Sequence, residues 1–320
     1  MVLEQMSQLE TMRTRLIGFA AVIFIGYFLF VLVSSPDLSD TAAALLPSTT
    51  VDVENNISYA PNLSGDFYRP RHQSSSLDKS ANIKPLIAHG DSIVLVHGGS
   101  WTKGDRNDIS EVGTARFLAE LGFIVFVINY RMGAEGQFPH DVQDVQHALK
   151  FLQERQKQDG VGDIFVGGSS SGATAAMLAA YMPEDLIGLR KGEKVNVKGV
   201  LSFSGPSDLA KLSGNNPYLK NYIQAYAANH KSKTLAESCL EASPITYAAT
   251  AVPTLLIHGT SDHNVPFAQS KELCNALLRA KVPAILIAIE GGEHFIGMRS
   301  RKLSLQQGLP FLLESASIEK

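Results

Sequence analysis

The sequence predicts an α/β fold: a mostly parallel central sheet flanked by helices. Short, continuously apolar runs alternate with longer amphipathic segments, and strands apolar along their whole length are buried on both faces, as in parallel sheets covered by helices. The 320 residues, 45% of them hydrophobic, are enough for one large core. No internal repeat divides the chain.

The elements follow in order. Leu16 to Val33, LIGFAAVIFIGYFLFVLV, carries no charge and is apolar on every face, so it predicts a transmembrane helix. Its length favours an uncleaved signal anchor, with cleavage near Ala42–Ala44 as the alternative. Arg13 and Arg15 then keep residues 1–15 as a short cytoplasmic tail and place the rest of this single-pass membrane protein outside the cytoplasm. Residues 34–55, rich in Ser, Pro, Asp, Thr and Ala, read as a linker, and the folded domain, 56–320, is expected to begin near Asn56. A polar stretch between Arg69 and Ser92 reads as a long surface loop after an early hairpin.

Strands are expected at Ser92–Val96, Phe123–Asn129, Asp163–Val166, Val197–Phe203, Thr254–His258 and Ala284–Ile289. Helices are expected around Ile109–Leu121, Val142–Gln158, Ser171–Tyr181, Ala268–Lys281 and Leu303–Leu313. The segment 206–243 breaks this rhythm, and its length suits a small helical cap over the strand ends.

Composition narrows the function. A net charge of −3 without a basic run gives no electrostatic footprint for nucleic acid. The two cysteines, Cys239 and Cys274, lie outside any CxxC, so dithiol or metal chemistry has no local motif; whether they pair is left open. No cofactor or metal is implied.

Ligands of open parallel sheets bind beyond the carboxyl ends of the strands, and each informative motif follows a strand. GGSSSGA, Gly167 to Ala173, joins a strand to an Ala-rich helix and matches a nucleophile elbow, in which a tight turn lifts one serine above the sheet. Gly168 and Gly172 frame Ser170, whereas Ser169 and Ser171 lack flanking glycines on both sides. A Ser-rich helix cap is the plainer alternative.

A serine hydroxyl needs an imidazole to take its proton and an acid to orient that imidazole. Asp262, in HGTSDHNVP, and His294, in GGEHF, follow Ser170 in that order, each after a later strand. Taken singly they read as a turn carboxylate and a loop histidine; taken together they complete a triad. His258 reads as a satisfied core histidine, His263 and Glu293 as bystanders, and Asp141 and Asp144 as first-turn carboxylates that complement a helix dipole. VHGGSW supplies glycine-rich backbone, so the N–H groups of Gly99, Ser100 and Ser171 are the candidate oxyanion-hole donors. Trp101, the only tryptophan, is either a pocket wall or a core aromatic.

With these residues the chain resembles the α/β-hydrolase superfamily and, within it, the esterase and lipase group that carries an HGGxW loop. The likeness spans roughly Ile57 to Leu313. It includes GDFYRP (Gly65–Pro70), GDR (Gly104–Arg106), NYRM (Asn129–Met132), FPHDVQD (Phe138–Asp144) and SPITY (Ser243–Tyr247), landmarks similar to those of feruloyl-esterase-like carboxylesterases, kynurenine formamidases and prenylcysteine methylesterases. The resemblance implies the Ser170, Asp262, His294 triad and an ester-hydrolysing activity on a small-molecule ester. Ser100 departs from the family, where many relatives have a third glycine, as do Ser169 and Ser171 around the nucleophile. Arylformamide hydrolysis is the nearest rival, and a non-catalytic binding module on the same fold is the rival from another class.

Overall fold

The computed structural model describes residues 30–34, 51–71, 90–159, 162–228 and 234–317. Nine strands form one sheet: β1 (Phe30–Ser34), β2 (Val51–Ala60), β3 (Leu63–Pro70), β4 (Ser92–Val96), β5 (Ile124–Ile128), β6 (Ile164–Ser169), β7 (Gly199–Phe203), β8 (Thr254–Gly259) and β9 (Ala284–Glu290). Their spatial order is β1-β9-β8-β7-β6-β4-β5-β3-β2. All neighbours from β1 through β5 run parallel, and only the hairpin β2–β3 and its junction with β5 are antiparallel. This is the α/β-hydrolase fold, and the order turns back at β4, between β6 and β5.

Alternation along the strands divides the core into two layers. Val94, Val96, Phe126, Ile128 and Val166 point to one face and Ile93, Leu95, Val125, Val127 and Phe165 to the other. Helices α2 (His140–Asp159), α3 (Ser171–Tyr181) and α8 (Ala268–Arg279) cover the first face, through residues such as Val145, Leu149, Ala176 and Leu273. Helices α1 (Ile109–Glu120) and α9 (Met298–Ser317) cover the second, through Phe117, Leu118, Leu305 and Leu309. Each fully buried Leu or Phe is worth about 1.5–3 kcal/mol, which is why the central strands tolerate so little polarity.

A short α4 (Glu184–Ile187) precedes β7. The insertion after β7 holds α5 (Leu209–Asn215), α6 (Pro217–Ala227) and α7 (Leu235–Glu241), followed by a 3-10 turn at Pro244–Thr250. Its helices start where the sequence supplies caps. Asp208 accepts from the Lys211 amide, Asn216 from Tyr218 and Leu219 with Pro217 following, and Thr234 with Glu237 forms a capping box. Gln269 at the head of α8 fastens the insertion to the body: its Oε1 accepts from the amides of Ser207 and Asp208 at 2.9 and 2.8 Å.

Three expectations change. Phe30–Ser34 forms a strand in parallel register with β9, Phe30 opposite Leu286 and Ser34 opposite Glu290, so the last four residues of the predicted 16–33 helix belong to the sheet. A run of aromatic and β-branched residues fits the otherwise open edge of β9, and apolarity alone does not separate a helix from a strand. Residues 1–29 lie outside the described residues, among which no helix is long and apolar enough to cross a membrane. The hairpin begins at Val51, so the last five residues of the 34–55 linker are strand, hidden in sequence by the polar outward positions Asp52 and Glu54. Residues 35–50 of the linker are outside the described residues, as are residues 72–89 of the expected loop, whose start at Arg69 and Pro70 belongs to β3.

Candidate active site

Ser170 stands between the end of β6 and the start of α3 with φ 52° and ψ −123°. This left-handed region is costly for a residue with a Cβ, by about 1–3 kcal/mol, and the surroundings hold it there. The Ser170 amide donates to the Phe203 carbonyl at 2.8 Å. A Cβ on Gly172 would lie 2.2 Å from the His97 carbonyl oxygen, so only glycine lets the elbow helix approach the loop after β4 this closely.

The loops after β8 and β9 bring the other two residues in. The Ser261 amide donates to the Gly292 carbonyl at 2.9 Å, and the Gly291 amide to the Thr260 hydroxyl at 2.9 Å. So braced, His294 Nδ1 lies 2.7 Å from Asp262 Oδ2, and His294 Nε2 lies 3.0 Å from Ser170 Oγ. The carboxylate accepts at Nδ1, so that nitrogen carries the hydrogen and Nε2 is left to accept from the serine hydroxyl. Asp262 is buried, with Oδ1 accepting from the amides of Asn264 and Val265 at 2.9 and 2.8 Å. Burial by itself would raise its pKa. Hydrogen bonds from His258 and His294, with their charge interaction, outweigh that and hold the carboxyl well below the usual carboxylate range.

The VHGGSW loop lies against the elbow. Gly99 (φ 127°), Ser100 (φ 53°) and Trp101 (φ 59°) are consecutive left-handed residues, and the Gly99 carbonyl accepts from the amides of Thr102 and Lys103 at 3.1 Å each. A Cβ on Gly99 would fall 1.8 Å from the Lys103 carbonyl oxygen. The turn leaves the amides of Gly99 and Ser100 without a partner among the described residues. Ser171 opens α3, so its amide has no acceptor within the helix.

A cavity of about 520 Å³ opens over Ser170 and His294. One wall, apolar and aromatic, joins Trp101 to Leu219 and Tyr218 of α6, with Pro206 and Val265. Trp101 is both core and wall: it is buried and lines the cavity while its outer face stacks on Tyr226. Polar side chains also line the cavity: Lys103 of the loop after β4, Asp108, Ser110 and Glu111 at the head of α1, and Arg301 at the head of α9. Arg301 is buried, its Nη1 donating to Thr114 Oγ1 at 3.1 Å and Ser169 Oγ at 3.3 Å and its Nε to the Ile296 carbonyl at 3.1 Å. Burial pulls its pKa down, against the opposing charge of Glu111.

Sequence reasoning missed Glu111 and Arg301, which sit in helix first turns without a motif, and Phe295, which is 85% exposed at the cavity mouth. Asp141 and Asp144 have partners beyond a helix dipole: Asp141 accepts from Tyr226 Oη at 2.9 Å, and Asp144 takes Arg131 Nη2 at 2.7 Å. His263 and Glu293 are exposed. His258 is fully buried as expected, but one of its partners is Asp262. Cys239 and Cys274 are free and buried. Among the described residues no group of His, Cys, Asp or Glu could hold a metal ion.

The BD-FAE family model matches residues 87–277. Curated relatives include a probable carboxylic ester hydrolase LipM of Mycobacterium tuberculosis, 28% identical over 62% of this chain and 48% of that protein. A probable isoprenylcysteine alpha-carbonyl methylesterase ICME of Oryza sativa is 28% identical over 63% of this chain and 51% of its own. The chain thus spans about half the length of the curated relatives it matches. Among solved structures, esterase B from Lactobacillus rhamnosis superposes with a TM-score of 0.67 at 18% identity, covering 88% of this chain and 92% of that one. A truncated carbohydrate esterase from gut microbiota gives 0.65 at 20%, covering 85% and 99%.

Proposed function

The chain belongs to the BD-FAE family, and from that premise and the geometry of its site we propose that it is a serine carboxylesterase working through an acyl-enzyme. The observation that carries the proposal is the unbroken run of hydrogen bonds from Asp262 through His294 to Ser170 at the floor of an open cavity. The names of relatives that hydrolyse carboxylic esters support the choice of bond.

In this mechanism Ser170 Oγ attacks the ester carbonyl while His294 Nε2 takes its proton. Asp262 keeps the Nδ1–H tautomer and stabilises the imidazolium that forms. The amides of Gly99, Ser100 and Ser171 receive the oxyanion, each donor worth about 3 kcal/mol in the transition state. Collapse breaks the bond to the alkoxide, which leaves with the proton from His294. A water, deprotonated by the same nitrogen, then attacks the acyl-enzyme and releases the acid.

The test is hydrolysis of p-nitrophenyl acetate, butyrate and longer esters by the full chain, with fluorophosphonate labelling of parent and Ser170→Ala. Turnover and labelling should both vanish in the variant; a folded parent with neither sinks the proposal. A kynurenine formamidase of Meyerozyma guilliermondii, 23% identical over 60% of this chain, favours an amide as the second reading. Faster turnover of an N-formyl arylamine than of any ester would select it.

A further inference from the structure

His258 is the penultimate residue of β8, its side chain fully buried after Leu256 and Ile257 in a strand otherwise made for packing. A buried imidazole is tolerated only when its ring nitrogens are satisfied. Nε2 lies 3.0 Å from Asp262 Oδ2 and 2.9 Å from the Val265 carbonyl oxygen, and Nδ1 lies 2.7 Å from Ser270 Oγ at the start of α8. Both partners of Nε2 only accept, so Nε2 carries the hydrogen. Nδ1 then receives the Ser270 hydroxyl, and a neutral ring completes the set.

The informative partner is Asp262. Its Oδ2 is the same oxygen that takes His294 Nδ1 at 2.7 Å, so two imidazoles, one from β8 and one from the loop after β9, converge on one carboxylate oxygen while two amides hold the other. Rotation of the carboxylate toward or away from His294 breaks a bond on either side. Phe267 fixes the His258 ring in turn, edge to face at 5.8 Å.

We propose that His258 is a positioning residue for Asp262, and that Ser270 satisfies its other ring nitrogen, so that the hydrogen-bonded run from Ser170 extends through His294, Asp262 and His258 to Ser270. The inference rests on the reading of Ser170 as nucleophile. Its consequence is electrostatic as well as steric, because a second donor on Oδ2 draws off part of the charge that Asp262 presents to His294. Among the described residues His258 and His294 are the titratable groups that act on Asp262. Removing the His258 donor leaves more of that charge on the bond to His294, so the pair holds its proton to higher pH and the acid limb of reactivity moves up.

The experiment follows the rate of fluorophosphonate labelling of Ser170 between pH 5 and 9 in the full chain. The variants are His258→Phe, which keeps a ring without donors, His258→Gln, whose amide nitrogen can reach Oδ2, and Ser270→Ala, which keeps the imidazole but frees Nδ1. Thermal midpoints and the kcat and KM for p-nitrophenyl acetate accompany each. His258→Phe should label about tenfold more slowly, with the acid limb about half a pH unit higher and KM within about twofold. Gln should recover most of the rate and the limb, and Ser270→Ala should show a smaller effect in the same direction.

A folded His258→Phe with unchanged rate and limb overturns the proposal. So does Gln that labels no better than Phe at an equal thermal midpoint, since packing alone then accounts for the loss. If His258→Phe does not fold, Ser270→Ala decides on the same readouts, and an unchanged rate and limb in that variant overturn it. Labelling needs no ester, so a parent that labels but hydrolyses no ester removes the esterase reading and leaves this inference standing. A parent that does not label at Ser170 removes both.

Discussion

Trp101 and Tyr226 stack face to face, with ring centroids 4.5 Å apart and planes 17° from parallel. The pair joins the loop that carries Gly99 and Ser100 to the last turn of α6, and the Tyr226 hydroxyl reaches through the protein to the buried carboxylate of Asp141. The VHGGSW loop is therefore backed by the insertion, although the two are far apart in sequence.

Two substitutions at Tyr226 separate those contacts. Tyr226→Phe keeps the stack and leaves Asp141 one donor short, for a loss of about 1–3 kcal/mol in denaturant unfolding with esterase kcat nearly unchanged. Tyr226→Ala removes the ring behind Trp101 and should cost about 3–5 kcal/mol. It should also lower kcat, because the left-handed run at Gly99–Trp101 loses its support. Equal kcat in both variants would show that the loop holds its shape without the insertion.

Asp141 itself gives a pH signature. Burial lifts its carboxyl to about 7, against the lowering effect of its donors Tyr226 and Val142. An aspartate in the unfolded chain ionises near ~3.9, so between about pH 4 and 7 the folded protein keeps a proton that the unfolded chain has released. Stability therefore falls as pH rises through that window and levels off above it. Asp141→Asn does not ionise and retains an acceptor for Tyr226. Its stability relative to the parent should improve steadily across the window and then stay constant, as read from urea midpoints at acid, intermediate and alkaline pH. A pH-independent difference would place the Asp141 carboxyl at its ordinary value.

The elbow predicts a sharp contrast between two glycines. Gly172→Ala drives a Cβ to within 2.2 Å of the His97 carbonyl and 2.3 Å of the Val96 carbonyl, both backbone atoms that cannot swing aside. A loss of about 4 kcal/mol or more, or failure to accumulate as folded protein, is expected. Gly214→Ala, in α5 with open space around it, should be neutral or stabilising by up to ~1 kcal/mol through helix propensity. Comparable thermal midpoints for the two would mean that the elbow relaxes around the added methyl.

Much of this architecture is legible in the sequence because a doubly covered parallel sheet writes its strands as apolar runs: β4 to β9 fall where those runs fall. The outer strands are not legible in that way. β2 carries polar residues at its outward positions, and the apolar run that ends in β1 has the length of a helix. Ser170, Asp262 and His294 are readable because each follows a strand at the carboxyl edge of the sheet, where order in the chain becomes proximity in space. Arg301 and Glu111 are not, since they reach the cavity from the first turns of helices on the other face of the sheet. His258 is visible four residues before Asp262, but its bond to that carboxylate depends on how the chain turns after β8.

Phe295 follows His294, leaves 85% of its surface exposed, and lies edge to face with the His294 ring at 5.4 Å. With Tyr218, 65% exposed on the same cavity, it forms an aromatic rim. So little of the ring is packed that Phe295→Ser should leave the thermal midpoint where it is. If the ring covers apolar surface of a substrate equally in the ground and transition states, its loss weakens binding without touching the chemical step. Covering about 40 Å² is worth about 1 kcal/mol, or roughly fivefold in KM, for esters whose alcohol reaches the rim, with kcat unchanged. p-Nitrophenyl acetate and a bulky apolar ester of the same acid distinguish the cases. A KM increase confined to the bulky ester assigns the ring to substrate binding, whereas a fall in kcat for both, at constant KM, assigns it to holding His294.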